Sequence, residues 1–492
     1  MADTDQNQRE LDGLRTQQWI HNEWVESASG ETFDTINPAT GQLLARVASA
    51  GGQDVDRAVA SAREAVVGEW GALDAHRRSH LILRLADLIE EHADELATLE
   101  THDNGKPFFE SRKVDLPMVV DTFRYFGGMA DKIHGETIPV SGPFLNYTRR
   151  EPLGVVGCIV PWNFPLNLAS WKVAPALACG NAVVLKPAEQ TPLTALRLGE
   201  LAAEAGFPPG ALNVVPGFGD RAGSALVRHP DVAAISFTGS TETGRIVMRE
   251  AAETLKEVSL ELGGKSPNVV FADADLGSAI RGANSGIFYG KGEVCAAGSR
   301  ILVERSIYDD FLEGLEGRAR KMSVGNPMES GTRLGAIVSQ TQLERVMGYI
   351  QVGRDEGARL LTGGERREVD GRGYYVEATV FADVEPEMTI AQEEIFGPVA
   401  AVIPFDDFDD AVARANQTIY GLAAGIWTRD VGKAHRMAEA IDAGVVWINS
   451  YNRYDPASPF GGTKASGFGR DLGFQSALDK YTRTKSVWVA LD

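Results

Sequence analysis

The chain has 492 residues, 43% of them hydrophobic, and a formal net charge of −20, which predicts two or three soluble domains and excludes a small single-core protein. The acidic balance argues against nucleic acid as a partner, because affinity for phosphate backbones comes mainly from basic surface. Three cysteines, no apolar run near the roughly 18 residues of a membrane span, and no zinc-type His or Cys spacing predict a metal-free cytoplasmic protein without membrane contact.

The first part of the chain predicts packing elements and one projecting segment. Met1 to about Arg15 is expected to be a loose tail, and Trp19–Val25 a short hairpin. Apolar residues recur at helical spacing over Val55–Val67 and His80–Leu99, which predicts helices that pack against the body. Thr137–Thr148 holds prolines and a glycine among apolar residues, so an extended excursion from the body is expected there.

Beyond Gly154, apolar runs alternate with helical stretches, which indicates βαβ units and a parallel sheet. The second predicted helix has Thr191 as its N-cap and Pro192 as its first residue. The predicted strands are Val155–Val160, Val183–Leu185, Leu212–Val215 and Val232–Phe237. The predicted helices are Leu168–Ala178, Thr191–Ala205, Asp220–Arg228 and Glu242–Leu255.

The ends of the predicted strands carry the polar chemistry, and ligands of parallel sheets bind there. Lys186 and Glu189 follow one strand, and the Gly239–Gly244 turn follows another and opens a helix whose free N–H groups suit phosphate. Separately, these features also fit solvated loop charges and a tight turn. Together they favour a nucleotide, whose ribose hydroxyls suit the two charged side chains.

Cys295 lies in the glycine-rich stretch Phe288–Arg300, which has no hydrophobic periodicity. Cys158, by contrast, sits inside an apolar run, as a structural cysteine does. A lone loop cysteine is often inert, since thiol reactivity depends on its environment. Cys295 is therefore a candidate nucleophile that needs partners elsewhere in the chain.

Six motifs spread over nearly the whole chain supply such partners. They are PWNFP at 161–165, FTGS at 237–240, ELGGK at 261–265, GEVC at 292–295, EEIFGP at 393–398 and PFGG at 459–462. In this order and at this spacing, the set resembles that of the NAD(P)-dependent aldehyde dehydrogenase superfamily, of the hydrolytic type that does not acylate coenzyme A.

The resemblance implies a covalent mechanism. Cys295 would attack the aldehyde carbon, with the oxyanion held by the Asn163 amide and the Cys295 backbone N–H. Glu261 would activate the water that hydrolyses the resulting thioester. If the neighbourhood of Leu260 and Leu262 is dry, desolvation would raise the pKa of Glu261 towards that of a general base. The alternative is a structural carboxylate paired with a backbone amide.

The resemblance also implies a dinucleotide site that prefers NAD over NADP, because the Glu189 carboxylate accepts bonds from a ribose 2′-OH and repels a 2′-phosphate. Glu293 is a departure, since many relatives carry Gln there, and its charge would oppose thiolate formation at Cys295. The implied cofactor residues are Ile159, Trp162, Lys186, Glu189, Gly219, Ser240, Leu262, Glu394 and Phe396.

The implied substrate tunnel is mostly aromatic, which favours an aromatic or medium-chain apolar aldehyde. Arg453 leaves a second possibility open: turned inward, it would bind the distal carboxylate of a semialdehyde. A coenzyme A-acylating relative and a catalytically silent structural homologue are less favoured, because Cys295, Asn163 and Glu261 are all present. The implied tunnel residues are Phe164, Leu168, Trp171, Tyr289, Arg453, Tyr454 and Phe460.

The fold implied is α/β, with a Rossmann-like NAD-binding domain, an α/β catalytic domain and a small β oligomerisation arm. The NAD-binding domain is expected at residues 1–136 and 149–260, and the catalytic domain at 261–455. Residues 137–148 and 456–492 would form the arm and the C-terminal segment. Exposed edge strands in such an arm invite pairing between subunits, and relatives are homodimers or homotetramers.

Overall fold

The computed structural model describes residues 13–491, so most of the predicted tail, residues 1–12, lies outside the described part. The hairpin at Trp19–Val25 is confirmed: strands Gln18–Ile20 and Glu23–Val25 pair antiparallel. His21 and Asn22 form the connection, each with a φ of 58°. Positive φ at both central residues is what a two-residue hairpin turn of this kind requires.

Helices of three to seventeen residues pack around the sheets. In chain order they are α1 (Gly52–Val67), α2 (Glu69–Ala72), α3 (Ala75–Glu91), α4 (Ala93–Asn104), α5 (Phe108–Glu110), α6 (Leu116–Gly127), α7 (Pro165–Ala178), α8 (Leu193–Glu204), α9 (Ser224–Arg228), α10 (Thr241–Ala252), α11 (Leu276–Phe288), α12 (Tyr308–Ala319), α13 (Gln340–Asp355), α14 (Thr389–Gln392), α15 (Phe408–Asn416), α16 (Val431–Ala440) and α17 (Phe474–Tyr481). Within residues 13–491, none of them has the length and apolar composition to cross a bilayer.

The strands are short and numerous. In chain order they are β1 (Gln18–Ile20), β2 (Glu23–Val25), β3 (Thr32–Asn37), β4 (Gln42–Ala48), β5 (Thr137–Ile138), β6 (Phe144–Pro152), β7 (Val155–Ile159), β8 (Ala182–Lys186), β9 (Leu212–Val214), β10 (Ala234–Thr238), β11 (Glu257–Glu261), β12 (Pro267–Val270), β13 (Arg300–Glu304), β14 (Arg359–Thr362), β15 (Arg366–Val369), β16 (Arg372–Val376), β17 (Thr379–Ala382), β18 (Val399–Phe405), β19 (Tyr420–Gly421), β20 (Ala423–Trp427), β21 (Val445–Ile448), β22 (Thr463–Lys464), β23 (Gly467–Phe468) and β24 (Thr482–Ala490).

The predicted parallel sheet is confirmed. Its strand order is β2-β1-β9-β8-β7-β10-β11-β23, and the run from β9 to β11 is parallel throughout. Every residue of β7, β8 and β10 is buried, because helices cover both faces of such a sheet and each strand is apolar on both sides. The carboxyl ends of β7, β8, β10 and β11 therefore open together at one edge.

A second sheet follows in the chain, with the order β14-β17-β18-β13-β12-β20-β21. From β17 to β21 its strands are parallel. Cys295 lies in the segment between α11 and β13 of this sheet. The nucleophile candidate therefore precedes a strand of the second sheet, whereas the strand ends discussed above belong to the first.

The extended excursion belongs to a third sheet, in which β6 pairs with β24 along its length and with β5 at its other edge. The structure starts β6 at Phe144 and runs it to Pro152, so this sheet extends past the predicted limit of residue 148. In the predicted C-terminal segment, β23 joins the first sheet beside β11, and only β24 joins β6.

Two local predictions are wrong in detail. His80–Leu99 is not one helix: α3 ends at Glu91 and α4 begins at Ala93, because His92, with φ −98° and ψ 18°, lies outside the helical conformation. The apolar periodicity of the sequence continues across this break, so the pattern does not show where one helix ends and the next begins.

The start of α8 also differs from the prediction, since the helix begins at Leu193 with Pro192 before it. The Thr191 hydroxyl lies 3.5 Å from the Trp162 carbonyl oxygen and caps nothing. The Asp103 carboxylate from the end of α4 accepts the Leu193 N–H instead, at 3.0 Å. A partner 90 residues away in the chain therefore does the work expected of the local N-cap.

Candidate active site

Cys295 lies where two cavities meet. It follows α11 and a tight turn, and its side chain is partly exposed, whereas Cys158 and Cys179 are buried. Cys295 lines a cavity of about 490 Å³ on one side and a cavity of about 250 Å³ on the other. A thiol in this position can touch two different bound molecules at once.

The larger cavity is walled by aromatic rings. All seven residues of the predicted tunnel line it: Phe164, Leu168, Trp171, Tyr289, Arg453, Tyr454 and Phe460. The Trp171 ring packs against those of Phe460 and Tyr454, at centroid distances of 5.3 and 5.9 Å. Phe164 and Tyr289 stack at 5.9 Å. Arg453 is exposed, so its charge lies at the rim of this wall.

The smaller cavity lies over the strand ends of the first sheet. Five predicted cofactor residues line it together with Asn163 and Cys295: Trp162, Ser240, Leu262, Glu394 and Phe396. The Gly264 N–H donates to Glu394 Oε1 at 2.9 Å, which holds that carboxylate at the cavity. Burial raises the pKa of Glu394 to about 7.

The other four predicted cofactor residues do not line this cavity. Ile159 and Lys186 are paired at the ends of β7 and β8, and Lys186 Nζ lies 3.5 Å from Glu189 Oε2. Burial lowers the pKa of Lys186, while the carboxylates of Glu189 and Asp220 raise it. Gly219, next to Asp220, is exposed and lies in the segment that follows β9.

These groups suit a dinucleotide laid across the strand ends. The buried Lys186 ammonium and the half-buried Glu189 carboxylate offer a donor and an acceptor for ribose hydroxyls. Ser240 caps α10 by accepting the Thr243 N–H at 3.1 Å, and the first N–H groups of this helix point out of its end, where a pyrophosphate is favoured.

The Asn163 amide is tied to the cysteine loop. Its Nδ2 donates to the carbonyl oxygen of Glu293 at 2.9 Å, and among the described residues its Oδ1 has no hydrogen-bond partner. An amide nitrogen carries two hydrogens, so one remains for a substrate oxygen beside Cys295. This is the arrangement that an oxyanion site needs.

The Cys295 thiol is protonated in this environment. Burial and the negative charges of Glu394 and Glu261 together raise its pKa to about 12, although the backbone N–H groups of Ala296 and of Cys295 itself lower it. A bound cation or a change in these carboxylates would shift the thiol towards the thiolate.

Glu261 ends β11 and is buried, only 2% exposed. Within the described chain neither of its carboxylate oxygens has a hydrogen-bond partner. Burial raises its pKa well above the usual value, and the Asp471 charge adds to this, while Lys480 and Lys172 oppose it. Glu261 lines neither of the two cavities that Cys295 lines.

Glu293, the departure noted in the sequence, is paired with the positive charge of Lys291. Its Oε2 lies 2.8 Å from Lys291 Nζ, and its Oε1 accepts the Val338 N–H at 3.1 Å. Both side chains of the pair are 1% exposed. The carboxylates that raise the Cys295 pKa are those of Glu394 and Glu261.

Sequence reasoning missed several residues of the site. Asp115 accepts the Tyr289 hydroxyl at 2.7 Å, and Met118 of α6 also lines the aromatic cavity. Gln342 and Arg345 of α13 bind the carbonyls of Phe396 and Glu394 at 2.7 and 2.8 Å. None of these has a local motif. These residues reach the site only because α6 and α13 pack beside the loops that form it.

The chain matches the model of the aldehyde dehydrogenase family over residues 24–487. It is 50% identical over 474 residues to the mitochondrial aldehyde dehydrogenase of Homo sapiens, covering 96% of this chain and 91% of the human one. Among solved structures, the NAD+ complex of an aldehyde dehydrogenase from Bacillus cereus has a TM-score of 0.97 at 50% identity, with 99% of both chains covered.

A mutant of the P. syringae indole-3-acetaldehyde dehydrogenase, in complex with NAD+ and IAA, also has a TM-score of 0.97, at 48% identity with 99% of both chains covered. These matches extend over the first sheet, the segment that carries Cys295 and the sheet of β5, β6 and β24. They confirm the resemblance stated from the six motifs, and the chain is a member of the aldehyde dehydrogenase family, an enzyme that oxidises aldehydes with NAD.

Proposed function

We propose that the enzyme works by hydrolytic, covalent catalysis at Cys295. The observation that carries this proposal is the position of the thiol between an aromatic cavity and the cavity over the strand ends. Attack of the thiolate on the aldehyde carbon forms a thiohemiacetal. The Asn163 amide and the Cys295 backbone N–H then hold its oxyanion.

The rest of the reaction uses Glu261. NAD, when bound, supplies the hydride acceptor, and the thiohemiacetal on Cys295 becomes a thioester. Glu261 takes a proton from a water molecule, whose oxygen attacks the thioester carbon and releases the acid and the thiol. Its raised pKa makes Glu261 a stronger base than an exposed carboxylate.

The test is NADH production from an aldehyde, with and without coenzyme A. Wild-type enzyme should produce NADH and free acid at the same rate in both, and Cys295→Ala should fall below about a hundredth of wild-type turnover while NAD affinity stays nearly unchanged. Cys179→Ala, which removes a buried thiol elsewhere, is the matched control and should stay active. Acyl-coenzyme A as product would indicate an acylating enzyme, and no NADH at all a silent homologue.

NAD is proposed to be preferred over NADP because of Glu189. Its carboxylate, 3.5 Å from Lys186 Nζ, would accept a bond from a 2′-hydroxyl and repel a 2′-phosphate. Glu189→Ser should raise kcat/KM for NADP relative to NAD. An unchanged ratio would mean that Glu189 points away from the ribose.

The proposed substrate is an aromatic or medium-chain apolar aldehyde, since the walls of the larger cavity are aromatic rings. The likeness to an indole-3-acetaldehyde dehydrogenase supports this. Phenylacetaldehyde or hexanal should give a higher kcat/KM than acetaldehyde, betaine aldehyde or succinic semialdehyde. If succinic semialdehyde is preferred and Arg453→Ala removes that preference, the enzyme is a semialdehyde dehydrogenase.

The arm sheet of β5, β6 and β24 is proposed to join subunits into a homodimer or homotetramer. Phe144, Leu145, Trp488 and Val489 are exposed on it, and such an apolar surface marks an interaction site. Light scattering would show a monomer if this is wrong. The domain limits predicted above are also proposed, and limited proteolysis tests them. A cytoplasmic location is proposed as well, and cell fractionation tests it.

A further inference from the structure

The turn before Cys295 has an unusual backbone. Gly290, Lys291 and Gly292 have φ values of 56°, 63° and 70°. A Cβ at Gly292 would lie 2.1 Å from the Gly397 carbonyl oxygen, so glycine is required there. Lys291, however, has a side chain in a conformation that costs such a residue roughly 1–2 kcal/mol. Other interactions must hold it.

The Lys291 ammonium provides them. Its Nζ lies 2.8 Å from the Asn104 carbonyl oxygen, 2.9 Å from Asn104 Oδ1 and 2.8 Å from Glu293 Oε2. The ammonium group donates hydrogen bonds to the two Asn104 oxygens and forms an ion pair with the Glu293 carboxylate. Asn104 is the last residue of α4, where carbonyls lack helical partners and a cation is favoured by the helix dipole.

The same residues connect the cysteine loop with the Asn163 loop. Asn104 Nδ2 donates to the Trp162 carbonyl oxygen at 2.8 Å, and Asn163 Nδ2 donates to the Glu293 carbonyl oxygen at 2.9 Å. With Lys291 between Asn104 and Glu293, the contacts close a ring of five residues. We call it the oxyanion ring: Asn104, Trp162, Asn163, Lys291 and Glu293.

We propose that Lys291 is a positioning residue that fixes the Asn163 amide relative to Cys295 through the oxyanion ring. The inference deepens the proposed function, because it rests on Asn163 as the oxyanion donor. The Glu293 carbonyl oxygen accepts one hydrogen of the Asn163 amide. Because this bond fixes the plane of the amide, the ring also fixes the direction of its second hydrogen. Without the Lys291 contacts, the strained turn relaxes, the Glu293 carbonyl moves, and the amide loses its orientation.

Lys291→Met keeps the length of the side chain and removes all three contacts. We expect kcat to fall at least ten-fold, since loss of a whole oxyanion donor costs about 100- to 1,000-fold and here the donor is only misplaced. KM for the aldehyde should change by less than about three-fold, because substrate binds mainly to the aromatic wall.

Alkylation by iodoacetamide separates this effect from damage to the nucleophile. That reaction displaces iodide at a saturated carbon and forms no oxyanion, so it reports the Cys295 thiolate alone. In Lys291→Met its rate and pH profile should match wild type, and so should the Kd for NAD. Lys433→Met, which removes the ammonium 3.0 Å from Asp273 on the surface, is the matched control and should keep wild-type kcat.

Rescue gives a second readout. The double variant Lys291→Gln/Glu293→Gln restores hydrogen-bonding groups without charge, so its kcat should exceed that of Lys291→Met. If Lys291→Met does not fold, Asn104→Asp takes its place: it retains both oxygens at Lys291 and removes the N–H to Trp162, and at least a five-fold fall in kcat is expected.

A kcat within two-fold of wild type in the folded variant overturns the proposal. So does a loss of alkylation in proportion to kcat, which would place the effect at the thiol, or a double variant no better than Lys291→Met. Failure of the catalytic proposal looks different: Cys295→Ala would then remain active, whatever the ring variants do.

Discussion

Two buried glutamates near Cys295, Glu261 and Glu293, show how one side-chain type serves two purposes. Each is at most 2% exposed, and burial raises the pKa of each. Glu293 has Lys291 at 2.8 Å and the Val338 N–H at 3.1 Å. Within residues 13–491, neither oxygen of Glu261 has a hydrogen-bond partner.

The difference decides what each carboxylate can do. A carboxylate that is paired with a cation stabilises the loop that carries it, and Lys291 and the Val338 N–H oppose the rise that burial causes in the Glu293 pKa. A buried carboxylate without partners is costly to the fold, and the same cost makes it a base. Glu293 is therefore expected to support structure and Glu261 to support chemistry.

The largest effect is expected from Glu261→Gln. Removing a general base lowers turnover by about 100- to 10,000-fold, but hydride transfer does not need it. Rapid mixing should show a burst of NADH close to one per active site, followed by slow turnover. If the burst disappears with the steady rate, Glu261 acts before hydride transfer, and the comparison with Glu293 has to be drawn differently.

Glu293→Gln should change stability more than chemistry. It leaves the fully buried Lys291 ammonium without its counter-charge, and breaking a buried pair in this way costs about 3 kcal/mol. A urea titration should show that loss in the free energy of unfolding. The steady-state turnover of Glu293→Gln should stay far above that of Glu261→Gln. Unchanged stability would mean that the ion pair contributes nothing.

Much of this arrangement was predictable from sequence because it is carried by local patterns. The buried runs of β7, β8 and β10 are continuous and apolar, so their alternation with helices predicts a parallel sheet, and the rule for strand ends then indicates Lys186 and Glu189. Cys295 could be singled out because its surroundings lack periodicity.

The contacts that separate the two glutamates were not predictable in this way. Lys291 and Asn104 are 187 residues apart in the chain, and no pattern in either segment indicates the other. Glu261 is next to Leu260 and Leu262, but its pKa also depends on Asp471, 210 positions later. Charge alone suggested that Glu293 would oppose the thiolate; its partner Lys291 has to be seen in space.

The last and smallest effect is on the pKa of the Cys295 thiol, and its sign tests the comparison. The Glu261 charge raises that pKa, so Glu261→Gln should lower it. Far below a thiol pKa of about 12, the alkylation rate follows the thiolate fraction, so the rate of Glu261→Gln should exceed that of wild type.

Iodoacetamide alkylation is measured from pH 8 to 10, and the rise should appear only where the pH exceeds the raised pKa of Glu261, because the wild-type carboxylate is ionised there. Glu394→Gln calibrates the experiment: Glu394, whose pKa is about 7, is charged throughout this range, and it raises the thiol pKa more than Glu261 does. Glu293→Gln should leave the profile unchanged, because the charges that raise the Cys295 pKa are those of Glu394 and Glu261. Slower alkylation in Glu261→Gln would have the opposite meaning, since only a base that deprotonates Cys295 directly gives that sign.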